Sequence, residues 1–105
     1  MFKGIYWAWK GKSFGNEVAD YLGVNRRLYH GAMEEGGCSQ HMLRLYHLRS
    51  QGVALEEVAY HSCDYLSLGL LGLERRFGKQ KLISQAQENI NRFLLAKANL
   101  DLRSS

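Results

Sequence analysis

The chain has 105 residues, 11 of them Gly and 0 Pro, with 46% hydrophobic and 23% charged residues and a formal net charge of +4. This length suits one domain with one core, and the composition excludes a proline-rich linker, a mucin-like stalk and an intrinsically disordered chain. The longest apolar run, Tyr65–Leu73, already contains two glycines and a serine, well short of the ~20 apolar residues of a membrane-spanning helix.

Residues 2–9 gather Phe2, Ile5, Tyr6, Trp7 and Trp9, types that favour a short extended segment. A lone strand finds no partner in sequence, so the expectation is an arm packed on the core or across a dimer. Trp7 and Trp9 are then candidate dimer-interface residues, because aromatic side chains are favoured there. The apolar stretch is short and bracketed by lysines, unlike a signal peptide. Cys38 and Cys63 are too few to staple a secreted scaffold, so a cytoplasmic protein with reduced thiols is expected.

Without proline, the glycines punctuate the chain. Phe14, Val18, Tyr21 and Leu22 recur at helical spacing, predicting a first helix from Ser13 to Leu22 that stops at Gly23. A second begins after Asn25 as N-cap, with Val24 and Tyr29 placed as a hydrophobic staple. Leu28, Tyr29, Ala32 and Met33 form its apolar face, and Gly36-Gly37 ends it. The third spans Ser39–Ser50 with Met42, Leu45 and Tyr46 inward and Gly52 as terminator.

The fourth and longest helix is expected over Ala54–Phe77, with Glu56-Glu57 in its first turn and Arg75-Arg76 in its last, as the helix dipole favours. The fifth runs from about Lys81 to Leu100 and places Ile83, Ala86, Ile90, Phe93 and Leu100 at near-heptad positions. Ile90 and Phe93 are therefore further candidates for a dimer face. Together these elements predict an all-α fold: a single compact bundle of four to five helices over residues 1–105, with a short extended N-terminal arm. Gly31, Gly69 and Gly72 fall inside helices rather than at their ends. Such glycines cost about 1 kcal/mol against alanine, and they mark places where another helix approaches closely or a site lies.

Residues 14–33 read FGNEVADYLGVNRRLYHGAM. Ala19 faces Gly23 four positions later, and Val24 follows as the buried aliphatic of a tight crossing, which is the spacing of a helix-turn-helix. In such a motif the exposed N-terminal side chains of the second helix read bases. Here these are Asn25, Arg26, Arg27 and His30, chemically suited to adenine edges, guanine edges and phosphates of double-stranded DNA.

Glu17-Val18-Ala19 followed by Gly23-Val24, with the later stretch LRSQGVALEEV at 48–58, resembles MerR-type helix-turn-helix regulators over about a third of the chain. The resemblance implies a dimeric DNA-binding domain with a long pairing helix. Family members carry a β-hairpin wing between the two stretches; here Gly36-Gly37-Cys38 leads almost directly into a helix. Nor is the charge concentrated at the motif: residues 79–105 hold five basic side chains against two acidic ones, whereas residues 1–37 hold five against four.

Cys38-x-x-His41 and His61-x-Cys63 supply ligand types suited to zinc. Residues 61 and 63 of one helix point about 200° apart, however, and no metal site is expected. His61 and Tyr65 lie one turn apart and are candidates to line a ligand pocket with Cys38 or His41. No P-loop, dinucleotide fingerprint, nucleophile elbow or H-E-x-x-H is present. A non-enzymatic protein without cofactor is therefore expected. Two functions of different kind remain: a dimeric DNA-binding regulator using Asn25–His30, or a homo-oligomeric interaction or small-ligand-binding module.

Overall fold

Glycine-closed turns set the architecture. A computed structural model describes residues 13–36 and 39–104. Helix α1 covers residues 13–22, and it is followed by α2 (Arg26–Glu35), α3 (Ser39–Ser50), α4 (Leu55–Phe77) and α5 (Lys81–Ser104). No strand occurs among the described residues. The fold is all-α, with five helices among the described residues. The expected N-terminal arm, with Trp7 and Trp9, lies outside the described residues.

At the end of α1, Gly23 adopts φ +72°. Its N–H donates to the Asp20 carbonyl at 3.2 Å, and the Val24 N–H donates to the Ala19 carbonyl at 2.9 Å. This pair of bonds is the Schellman closure, which satisfies carbonyls that the helix end leaves unpaired. The turn delivers the chain to Asn25, whose side-chain oxygen accepts from the Leu28 N–H at 3.1 Å and caps α2. Gly52 (φ +94°) closes α3 in the same way, with its N–H on Arg49 and that of Val53 on Leu48, each at 3.1 Å.

Helix α4 is central and touches α2, α3 and α5. Its buried face comprises Val58, Ala59, Ser62, Cys63, Leu66, Gly69 and Leu70. Val18, Tyr29, Leu66, Leu70 and Ile90 are among the largest fully buried side chains, so α1, α2, α4 and α5 share one core. Ser62 and Cys63 satisfy their polar atoms locally by donating to the Ala59 carbonyl, at 2.8 and 3.2 Å.

The α2–α4 crossing is made by small residues. A methyl group at Gly69 would collide with the Ala32 carbonyl, so the two backbones are in contact there. One at Gly72 would meet only the flexible Glu35 side chain. Gly31 differs from both: its nearest neighbour would be Leu73 Cδ1 at 3.9 Å, an ordinary contact. Close packing therefore requires glycine at 69 and not at 31.

Helix α5 runs four residues beyond the Leu100 expected from its apolar spacing. Its first half packs through Ile83, Ala86 and Ile90. Its second half is held by Lys97, whose side chain is 10% exposed and whose Nζ donates to Glu57 at 2.7 Å, with Glu56 at 3.5 Å. The Lys97 ammonium also lies 5.0 Å from the centre of the Tyr60 ring.

Candidate functional site

At the α1–α2 corner Ala19 and Val24 are both buried. Its outer edge is more occupied than the sequence suggests. The Asn25 side chain caps α2. The Arg26 guanidinium holds Asp20 through two bonds, Nε to Oδ1 at 3.0 Å and Nη2 to Oδ2 at 2.6 Å. These hydrogen bonds and the adjacent charge keep the Asp20 carboxyl below its ordinary pKa. His30 is half-buried and turned onto α1, with Nε2 2.8 Å from Asn16 Oδ1. Arg27 is exposed and forms no ion pair with any described residue.

Further acidic side chains stand on α1 and at the far end of α2. Arg49 pairs with Glu17 at 3.3 Å, Arg76 with Glu35 at 2.9 Å, and Glu34 lies exposed at the end of α2. The corner thus has little surplus positive charge with which to attract phosphate.

The two positions suggested for pairing on α5 are engaged within the chain. Ile90 is 1% exposed and belongs to the core, and the half-buried Phe93 meets Tyr21 edge-on with ring centres 5.9 Å apart.

The other candidate surface lies between α3 and α4. His41, Arg44, Leu45 and Leu48 from α3 face His61, Asp64 and Tyr65 from α4 across a cleft of about 330 Å³. His61 and Tyr65, one turn apart on α4, do line one opening, together with His41. The α3 residues recur at i, i+3, i+4 and i+7, the spacing of one helix face. At one end, the His41 and Tyr65 rings stack with centres 4.0 Å apart and planes 19° from parallel. Leu45 is buried and provides an apolar floor. Arg44 and Asp64 are both exposed, and neither makes an ion pair or hydrogen bond with a described residue.

That lack of partners distinguishes the cleft from the grooves beside the corner. A groove of about 290 Å³ runs between Gly23–Asn25 and α5, crossed by a 2.8 Å bond from Asn89 Nδ2 to the Gly23 carbonyl. A shallower one is lined by Asp20, Tyr21, Arg92 and Phe93. Their charged residues already have partners: Asp20 with Arg26, and Glu88 with Arg92 at 3.0 Å.

Cys63 takes no part in the cleft. It is 1% exposed, and burial, with the neighbouring Asp64 charge, pushes its thiol up to about 12. It stays protonated at neutral pH and is unsuited to nucleophilic or metal-ligand chemistry. His61 is exposed, on another side of α4 from Cys63. Among the described residues no group of three or more His, Cys, Asp or Glu is placed to hold a metal ion, and Cys38 lies outside them. No described helix is long and apolar enough to cross a membrane.

Arg44 is not anticipated from the sequence, whereas Asp64 stands in the same crowded stretch of α4 as His61 and Tyr65. The signal for Arg44 is its position one turn after His41; Asp64 stands one turn after His61. Compared with known proteins, the chain matches no family model, no curated protein and no solved structure.

Proposed function

We propose that this chain is a non-enzymatic helical module that binds a small polar molecule in the α3–α4 cleft. One observation carries the reading: two unpaired charges and three ring side chains converge on a single opening with a leucine floor. Ligand sites are typically concave, mostly apolar and set with a few convergent polar groups, and span about 300–1,000 Å³. At about 330 Å³ the cleft is at the small end of that range, which suits a single small molecule.

A thermal-shift screen of pooled small polar compounds tests this reading. It should be run on the wild type and on His61→Trp, which fills the opening from an exposed position. Hits are expected to raise the melting temperature of the wild type and not of the variant. A screen in which no compound separates the two proteins overturns the reading.

The corner favours a second reading, a DNA-binding regulator. Its Schellman-closed turn leaves Asn25, Arg26 and Arg27 together at the exposed start of α2. The Arg26–Asp20 pair is exposed, and such pairs exchange readily for other partners. A dimeric reader carries its two recognition helices about 34 Å apart. Exposed apolar residues on α5 include Leu82 and Leu95, whereas Ile90 belongs to the core. This reading expects salt-sensitive duplex binding that weakens in Arg27→Ala. Unchanged binding in that variant contradicts it.

A further inference from the structure

We infer that the ligand of the α3–α4 cleft is a small zwitterion of the α-amino acid type with an apolar side chain; this inference rests on the cleft being a ligand site. Arg44 stands on the α3 wall and Asp64 on the α4 wall, both unpaired. A simple anion drawn to Arg44 meets the negative charge of Asp64 across the opening, and a simple cation meets the reverse. A molecule bearing both a carboxylate and an ammonium gives each wall its complement and leaves no net charge uncompensated. The planar arginine fork suits a carboxylate, which it can grip through two parallel hydrogen bonds.

The remaining lining favours the same class. Leu45 forms a buried apolar floor under the charged rim. The stacked His41 and Tyr65 rings close one end and add a flat, largely apolar wall. A short aliphatic side chain is accommodated there once its two charged groups are held at the rim. Arg44 and Asp64 have each other as the competing partner, but an exposed ion pair gains little. A ligand that engages both therefore displaces little.

Calorimetry with three probes provides the test: L-leucine, leucinamide, which lacks the carboxylate, and 4-methylpentanoate, which lacks the ammonium. Leucine is expected to bind at least about tenfold more tightly than either analogue, the scale of one lost charge-assisted hydrogen bond. In Arg44→Gln, the affinity for leucine should fall to that for leucinamide. In Asp64→Asn, it should fall to that for 4-methylpentanoate. Both substitutions are at exposed positions, and unchanged circular dichroism checks the fold.

If an analogue binds as tightly as leucine and perturbs His41 and His61, the zwitterion assignment fails while the cleft remains a ligand site. The same holds if leucine does not bind and another compound separates wild type from His61→Trp. If all three probes fail at about 10 mM and no compound separates those proteins, both conclusions fall.

Discussion

Helix α4 has two seams of opposite character. Towards α2 it presents Gly69, and the backbones meet at the Ala32 carbonyl with no room for a methyl group. Towards α3 it presents His61, Asp64 and Tyr65, and a cleft of about 330 Å³ remains between the helices. Side-chain size accounts for the difference. Small residues allow two helices to close on each other, whereas long polar residues on both walls prop them apart and keep their charged ends in water. A closed packing seam and an open cleft thus coexist on one helix when each is confined to its own side.

The largest expected effect comes from breaking the closed seam. Gly69→Ala should destabilise the protein by about 3 kcal/mol, because the added methyl must push backbone rather than a flexible side chain. Denaturant unfolding measures it, and a loss below about 1 kcal/mol shows that the crossing is looser than described. Next, Lys97→Met removes the ammonium but keeps the stem, leaving Glu56 and Glu57 adjacent without their shared cation. Amide exchange should then accelerate in the last turns of α5 before it does in α2.

Acid should have a similar local effect. The hydrogen bond and charge of Lys97 hold the Glu57 carboxyl below its ordinary pKa. A lowered folded pKa stabilises the fold above the unfolded value, and this stabilisation is lost as pH falls through the folded one. Protection factors at the end of α5, corrected for the intrinsic exchange rate, should therefore fall below about pH 4, and Lys97→Met should blunt that fall. If the pH dependence is the same in both proteins, the attachment of α5 does not depend on this pair.

Smaller effects sharpen the contrast. Gly31→Ala should stabilise by about 0.5–1 kcal/mol, since alanine fits and suits a helix interior better. It is the opposite sign from the same change at Gly69. Smallest of all, His61→Trp should change stability by less than about 0.5 kcal/mol, because the open seam has room for the ring. A large loss there would mean that the cleft belongs to the packing.

The five helices were legible because glycine, in a chain without proline, marks their ends in plain sight. Gly23, Gly36, Gly52 and Gly78 all follow the last turn of a helix. The α5 terminus was less legible: no glycine or cap follows Leu100, and the helix continues through Asp101 and Arg103 after its apolar spacing has ended. Composition could identify Gly31 and Gly69 as unusual but not distinguish them, since that depends on which face meets Ala32.

The candidate site divides in the same manner. The one-turn spacing of His61 and Tyr65 belongs to a single helix and can be read from sequence. Arg44 and Leu45 can be placed on α3 from spacing alone, but that this face of α3 lies across from His61 and Tyr65 becomes visible only once the helices are packed. The Arg26–Asp20 pair spans a turn rather than one helix face, so no periodicity reveals that the expected base-reading arginine has an acidic partner.

The four histidines allow the most direct test of the central claim. His41 and His61 line the cleft, whereas His30 faces Asn16 and His47 contacts Gln51, both outside it. Imidazole resonances followed by NMR during a leucine titration separate the two pairs. Saturable shifts are expected at His41 and His61, with His30 and His47 unmoved. Equal shifts at all four, or movement confined to His30 and His47, would contradict the claim.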